Sequence, residues 1–154
     1  YVHKPYPRIY ALLARHAGFD SALIVRGVEG GVIPALSQTG RAFHYHERGE
    51  ETSTDFKPAE LGIEQSVRAP RIPGASDEGS SEAPLDTAAV AHAAAQAGMA
   101  ALSGEPGPTR DCLVYGAALC LWHLGRHGSL RQAADAVRGV LDGGQALARL
   151  HQAN

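Results

Sequence analysis

Residues 22–31 read Ala-Leu-Ile-Val-Arg-Gly-Val-Glu-Gly-Gly, a short apolar run that passes directly into a glycine-rich turn. A continuous apolar run between Asp20 and Gly27 is typical of a strand that is buried on both faces of a sheet. The carboxyl ends of such strands face the ligand crevice of open α/β sheets, and glycine lets a backbone approach a phosphate. We therefore predict a buried strand over 20–26, followed by either a plain turn with a solvated Glu29 or a phosphate or ligand loop. The candidate residues of that loop are Arg26, Gly27, Glu29, Gly30 and Gly31.

The residues before this run have the pattern of a helix that ends at a glycine. Pro7 suits a first helical turn, apolar residues follow at helical spacing from Ile9, and Gly18 is typical of the position just past a helix end. These features predict a helix over 6–17. A helix that leads into a buried strand favours a βαβ-type unit whose earlier strand is missing from this sequence. The predicted fold class is therefore α/β, with part of a mixed sheet flanked by helices.

Residues 41–46 alternate between polar and apolar side chains. The order Arg-Ala-Phe-His-Tyr-His predicts a short strand with Phe43 and Tyr45 on one side and His44 and His46 on the other. Two imidazoles supply at most part of a zinc site, and no third ligand follows at a diagnostic spacing. We therefore predict no metal site in this chain.

The chain divides into two halves joined by a polar segment. Residues 1–67 form a helix and strand half, residues 68–84 are rich in Pro, Gly and Ser and indicate a loop, and residues 85–154 form a helical half. The first helix of the helical half is predicted to be capped by Asp86 or Thr87. Its apolar stripe, at alternating spacings of three and four, is Leu85, Ala88, His92, Ala95, Met99 and Leu102.

Residues 112–124 are apolar nearly all round, so we predict that they form a central helix of the helical half. Cys112 and Cys120 lie too far apart along such a helix to form a disulfide. They are therefore expected to be reduced, buried thiols. Trp122 is expected to be a packing anchor, and His92 is expected to be a core histidine.

The overall composition excludes several classes of protein. A chain of 154 residues with 44% hydrophobic and 19% charged residues is sufficient for one core. No apolar run reaches the roughly 18 to 20 residues that a membrane span needs, and no signal-peptide pattern opens the chain. We therefore expect a soluble, cytoplasmic protein without a membrane partner. The formal net charge of -2 gives no general attraction to nucleic acid, and the short motifs of phosphate-binding loops and nucleophile elbows are absent.

Arginine in the last third of the chain is the basis of one functional candidate. An uninterrupted helix would place Arg131, Arg138 and Arg149 on one face. Arginine forms bidentate contacts with phosphate, so this face is either a binding surface for nucleic acid or an ordinary solvated helix face. The candidate nucleic-acid contacts are Arg110, Arg126, Arg131, Arg138 and Arg149.

Four segments, in order, resemble the C-terminal half of the anthranilate phosphoribosyltransferase family, which is glycosyltransferase family 3. Residues 22–30 resemble the family's Val-His-Gly-x-Asp-Gly strand and turn, and residues 58–63 are similar to its Pro-x-x-Phe-Gly-Leu segment. Residues 111–119 look like the family's Asp-x-Val-x-x-Asn-Ala-Ala helix, and residues 129–146 resemble its closing Ser-Leu to Ser-Gly-x-Ala run. The resemblance spans nearly the whole chain and implies a phosphoribosyltransferase or nucleoside phosphorylase type of α/β domain.

The chain departs from the family where the resemblance would place catalytic groups. In the family the turn continues into an Asp-Glu pair that holds magnesium and phosphoribosyl pyrophosphate, and the matching residues here are Val32 and Ile33. Neither has the oxygen donors that a hard cation requires, so no cofactor is expected in this chain. The family's helix asparagine is Gly116 here. The catalytic residues therefore stay unassigned, and this chain alone is expected to be inactive.

The resemblance implies two functions from different classes. One is phosphoribosyl or glycosyl transfer; the other is sequence-nonspecific binding of nucleic acid by a non-catalytic homodimer, as in family members that have lost the acidic pair. The family's pyrophosphate loop and N-terminal helical domain precede the matched part, and the chain starts at Tyr1 rather than Met. We therefore expect a fragment that associates with its missing N-terminal portion or with a second polypeptide. The expected further partners are another copy of the chain and nucleic acid or a phosphorylated ligand.

Overall fold

A computed structural model describes residues 6–28, 33–73 and 86–153 of the chain. The described part has five α-helices, three strands and one short 3-10 helix, which confirms the predicted α/β class. In chain order the elements are α1 (Pro7–His16), β1 (Ala22–Val25), β2 (Gly40–Tyr45), β3 (Thr52–Phe56), the 3-10 helix (Pro58–Leu61), α2 (Thr87–Leu102), α3 (Pro108–His123), α4 (Leu130–Asp142) and α5 (Gln145–Ala153).

The helix boundaries follow the capping signals in the sequence. α1 begins at Pro7 and is followed by Gly18, whose φ of 92° is in the left-handed region that glycine tolerates. The Asp86 side chain accepts a hydrogen bond from the backbone N–H of Ala89 at 3.0 Å and caps α2. Ser129 caps α4 in the same way. The predicted helix over 6–17 and the predicted start of α2 are confirmed.

The three strands form one antiparallel sheet in the order β1-β2-β3. Ile24 lies opposite Phe43, and Phe43 lies opposite Ser53. Within the described part of the chain β1 is an edge strand, and all four of its residues are only half-buried. The prediction of a strand over 20–26 that is buried on both faces was therefore wrong for the described part of the chain, because the strand spans only Ala22–Val25 and each of its four residues keeps part of its surface exposed.

The two faces of β2 carry the predicted alternation and contact different helices. The Tyr45 ring lies under the Arg15 guanidinium of α1, 4.5 Å from its carbon, and the Tyr45 hydroxyl donates a hydrogen bond to the Phe19 carbonyl at 3.1 Å. His44 is on the other face and contacts the Trp122 ring of α3 edge-on. The sheet therefore lies between α1 and α3.

One hydrophobic core joins the sheet to the helical half. Tyr115 of α3 is fully buried, and its hydroxyl lies 3.4 Å from the Phe56 carbonyl of β3. Trp122 contacts the Phe56 ring edge-on at 5.4 Å between centroids, so its predicted role as a packing anchor is confirmed. The buried core comprises Leu36, Ala42, Phe56, Leu61, Ile63, Val114, Tyr115, Ala118, Leu119, Ala133, Ala134, Val137 and Leu141.

α3 packs between other elements but keeps one side open. The helix supplies Val114, Tyr115, Ala118 and Leu119 to the core, whereas Leu113 and Cys120 are exposed. Both cysteines are free thiols, as expected, but the predicted burial of Cys120 was wrong. Burial, assisted by the neighbouring Asp111 carboxylate, raises the pKa of the half-buried Cys112 thiol to about 11, so this thiol stays protonated at neutral pH.

The packed face of α2 differs from the predicted stripe. Ala88, His92 and Ala95 are exposed, whereas the half-buried or buried side includes Val90 and Ala101. The prediction that His92 is a core residue was therefore wrong. Alanine lies on every face of this helix, so its hydrophobic pattern has almost no direction and does not identify the packed side.

Candidate functional site

The candidate ligand loop begins where β1 ends. Arg26 is exposed and Gly27 is half-buried directly after the strand. The Val28 N–H donates a hydrogen bond to the Ile33 carbonyl at 3.1 Å, so a backbone hydrogen bond holds the two ends of the loop together. The candidates Glu29, Gly30 and Gly31, together with Val32, lie outside the described residues.

The far end of this loop contacts α3 at Gly116. Ile33 is half-buried and packs against the core. A Cβ atom added to Gly116 would lie 2.6 Å from Ile33 Cδ1, closer than real Cβ contacts allow. Glycine at 116 therefore makes room for Ile33. The sequence identified both positions as departures from the resembling family, but nothing in its spacing showed that they touch.

Two of the candidate arginines meet at the end of the 3-10 helix. Arg138 forms an ion pair with Asp135 at 3.1 Å, and its other terminal nitrogen donates a hydrogen bond to the Leu61 carbonyl. Arg131 approaches the same Asp135 at 3.4 Å. A Cβ added to Gly62, which has a φ of 71°, would lie 2.9 Å from an Arg131 nitrogen, so the two guanidiniums cover this turn closely.

The five candidate arginines do not share one helix face. Gly143 and Gly144 separate α4 from α5, so the uninterrupted helix that would align Arg149 with the two α4 arginines is not formed. Arg110 pairs with Asp142, and its side chain is only 13% exposed. Arg110 and Arg138 therefore act within the fold. Three of the candidates are exposed: Arg126, Arg131 and Arg149.

Replacing Arg138 by alanine is expected to cost about 1 to 3 kcal/mol of unfolding free energy, because the Leu61 carbonyl and the Asp135 carboxylate both lose a charged donor. Arg131→Ala is the matched control, since that side chain is 60% exposed and its ion pair is long, and its expected effect is within about 0.5 kcal/mol. Urea denaturation measures both. Equal effects of the two substitutions would contradict the assigned roles.

Three histidines from distant parts of the sequence meet at the opposite end of β1. We call His44, His46 and His123 the imidazole cluster. Ring centroids are 4.3 Å apart between His46 and His123, and 5.8 Å apart between His44 and His123. The sequence pattern placed the first two histidines on one strand face, but nothing in it pointed to His123 at the end of α3. In residues 6–28, 33–73 and 86–153, no group of three or more His, Cys, Asp or Glu side chains is arranged to hold a metal ion.

The outer surface of α1 carries several exposed apolar side chains. Ala11 is fully buried, whereas Ile9, Leu12 and Leu13 are about half exposed and share the opposite side of the helix. Phe19, just past the helix end, is 61% exposed. We call Ile9, Leu12, Leu13 and Phe19 the apolar face of α1. Exposed apolar side chains in one contiguous region are typical of a surface that another polypeptide covers.

The comparisons with known proteins support the fold. The chain resembles the crystal structure of anthranilate phosphoribosyltransferase (TrpD) from Thermus thermophilus, with a TM-score of 0.65 and 23% sequence identity. The match covers 97% of this chain and 39% of that chain, so the chain spans about two fifths of the length of the solved structure. No protein-family model and no curated protein matches the sequence. The predicted resemblance is thus confirmed at the level of the fold.

Among the helices of the described segments, none combines the length and the apolar character that crossing a bilayer requires.

Proposed function

We propose that this chain is the C-terminal α/β part of a phosphoribosyltransferase-like protein in which the magnesium site of the family has been lost. The fold similarity to anthranilate phosphoribosyltransferase supports the first half of this proposal. The contact between Ile33 and Gly116 carries the second half. We therefore propose that the protein has the fold of these transferases but does not catalyse their metal-dependent transfer reaction.

The residues at the expected magnesium position do not fit a magnesium ion. Mg²⁺ takes oxygen ligands, and both Val32 and Ile33 have aliphatic side chains. The Ile33 side chain packs against the hydrophobic core and comes close to Gly116 Cα. In the resembling family an acidic residue and an asparagine take these two positions. Here the two replacements complement each other in volume, which supports a site that has been converted to packing.

The remaining polar feature of this region is suited to anion binding without a metal. Arg26 is exposed at the carboxyl end of β1 and carries a permanent positive charge. Gly27 follows it and leaves the backbone accessible. A phosphate or phosphorylated ligand that approaches this end of the strand would meet a guanidinium rather than a metal ion. We therefore propose that any phosphorylated ligand binds here independently of magnesium.

The experiment that tests the proposal uses the full-length protein with phosphoribosyl pyrophosphate, magnesium and either anthranilate or a nucleobase. No turnover is expected, because no group at positions 32 and 33 holds the metal that neutralises the leaving pyrophosphate. Calorimetric titration should show that any binding of phosphoribosyl pyrophosphate is unchanged by EDTA and is weakened by Arg26→Ala.

A reversion variant provides the matched control for this experiment. The triple change Val32→Asp, Ile33→Glu and Gly116→Asn restores the family's residue types at the three positions. If the residues at these three positions are the reason that magnesium is not bound, the variant should bind phosphoribosyl pyrophosphate in a magnesium-dependent way, which the unaltered protein does not. Magnesium-dependent turnover by the unaltered protein would refute the proposed loss of the site.

A second candidate function is sequence-nonspecific binding of nucleic acid. The observation in its favour is that Arg126, Arg131 and Arg149 are exposed and available to phosphates. Affinity for nucleic acid should then fall steeply with salt, and each arginine that contacts one phosphate should change the salt slope by about one unit when replaced by alanine. Binding that is insensitive to salt and to these substitutions would remove this candidate.

We further propose that the apolar face of α1 is covered by the remaining part of the protein or by a second polypeptide. The chain spans 39% of the solved structure that it resembles, which is consistent with a partial domain. A helix side with several exposed apolar side chains is a surface on which a further polypeptide can pack.

A further inference from the structure

We propose that the imidazole cluster is an acid-sensitive latch that fastens the sheet to the last turn of α3 and opens when the cluster takes up protons. The cluster lies at the amino end of β1, away from the candidate ligand loop. The inference therefore does not depend on the proposed function.

The cluster connects three separate parts of the chain. His123 is 7% exposed, and its Nε2 lies 2.7 Å from the Ser21 hydroxyl just before β1. The His46 ring, at the end of β2, donates from Nε2 to the His123 backbone carbonyl. His44 Nε2 lies 2.9 Å from the Thr54 hydroxyl of β3. Hydrogen bonds of neutral imidazoles thus join the edge of the sheet to α3.

A proton on this cluster meets an unfavourable environment. His123 Nδ1 is buried and has no hydrogen-bond partner in the described structure, so a charged ring there would leave a buried polar group unpaired. The ionisable groups that act on His123 are His46, which directly follows β2, and His44 of β2, and each repels a second positive charge. The segment before β1 contributes the uncharged Ser21 hydroxyl. The neighbouring Asp20 carboxylate is exposed and pairs with Arg48 at 2.8 Å.

The sign of the pH dependence follows from these contacts. Burial, reinforced by His46 and His44, lowers the pKa of His123 from 6.5 to about 4. Burial, followed by the effect of His46, also lowers the pKa of His44. We call the state with these contacts closed and the state in which the sheet and the last turn of α3 have separated open. Because the histidine pKa values are lowered in the closed state, the open state binds protons more readily. The closed latch has its full stability above pH 6.5 and loses it as the pH falls from 6.5 towards 4.

Hydrogen–deuterium exchange on the full-length protein tests the latch locally. For peptides that cover β2 and the last turn of α3, the equilibrium constant for opening, [open]/[closed], is expected to rise about 30-fold as the pH falls from 7.5 to 5.0, after correction for intrinsic exchange rates. In His123→Gln, whose amide keeps a polar group near Ser21 but does not titrate, the change should shrink to less than about 3-fold. The matched control is His92→Gln, because His92 is exposed on α2, and it should retain the full pH dependence.

A second measurement keeps the proposal testable if His123→Gln does not fold. NMR titration of the unaltered protein should give His123 a pKa below 5, and the Trp122 indole signal should change in the same step, because Trp122 contacts His44 of the cluster. A His123 ring that titrates near 6.5 without a change in exchange would overturn the latch. The same would follow if His123→Gln kept the 30-fold response.

Discussion

Phe56→Ala is expected to lower the unfolding free energy of the chain by about 3 to 5 kcal/mol, which is among the largest effects of any single side-chain truncation here. Phe56 is the last residue of β3 and is completely buried. Its ring contacts the Trp122 ring edge-on, so truncation removes an aromatic pair as well as buried area. Because this contact joins the sheet to α3, the cavity would lie between the two halves of the fold.

Denaturant unfolding followed by far-UV circular dichroism measures this loss. Phe19→Ala is the matched control, since the chemical change is identical but the ring is 61% exposed, and its expected effect on the isolated chain is below about 1 kcal/mol. Similar losses in both variants would show that the core is not organised around the contact between β3 and α3.

The helix boundaries were predictable from sequence because capping is a local effect. Asp86 and Ser129 each accept a backbone hydrogen bond from a residue three positions later, and this requirement is visible in the sequence itself. The alternation over β2 was predictable for the same reason, since Tyr45 and His44 must point to opposite faces of any strand. Sequence patterns therefore identified α1, the strand β2, the start of α2 and the fold class.

The sequence could not show which residues meet when those elements pack. The Arg131, Arg138 and Arg149 series has correct helical spacing, but a two-residue break at Gly143 and Gly144 is enough to place its members on separate helices. The two adjacent glycines indicate the interruption in the sequence itself, but the direction in which α5 leaves α4 depends on tertiary contacts.

The candidate site shows the same limit more clearly. Ile33 and Gly116 are distant in the chain, and the reason for glycine at 116 becomes visible only when the Ile33 side chain is seen beside α3. His123 is also distant from His44 and His46, and a histidine at a helix end has no sequence signature that distinguishes burial from exposure. Both contacts depend on how α3 crosses the sheet. The sequence contains the residues of these two sites but not their association.

Leu13→Asp is expected to have its large effect only where the apolar face of α1 is covered. In the 154-residue chain the Leu13 side chain is 57% exposed, so a carboxylate there stays hydrated and should cost less than about 1 kcal/mol. In a complete protein that contains the proposed covering polypeptide, burial of the same position would remove about 1.5 to 3 kcal/mol of hydrophobic stabilisation and would add the cost of a buried charge. We therefore expect a loss of at least about 3 kcal/mol in unfolding or association free energy there.

Leu124→Asp is the control for this prediction, because Leu124 is also 57% exposed but lies at the end of α3 and is not part of the apolar face of α1. Thermal unfolding of both variants, in the isolated chain and in the complete protein, separates the effect of coverage from that of the added charge. A carboxylate at 13 that is tolerated equally well in both contexts would mean that α1 keeps its apolar side in water. A penalty confined to the complete protein would show that this side of α1 is buried there, because a hydrated carboxylate costs little and a buried one costs several kcal/mol.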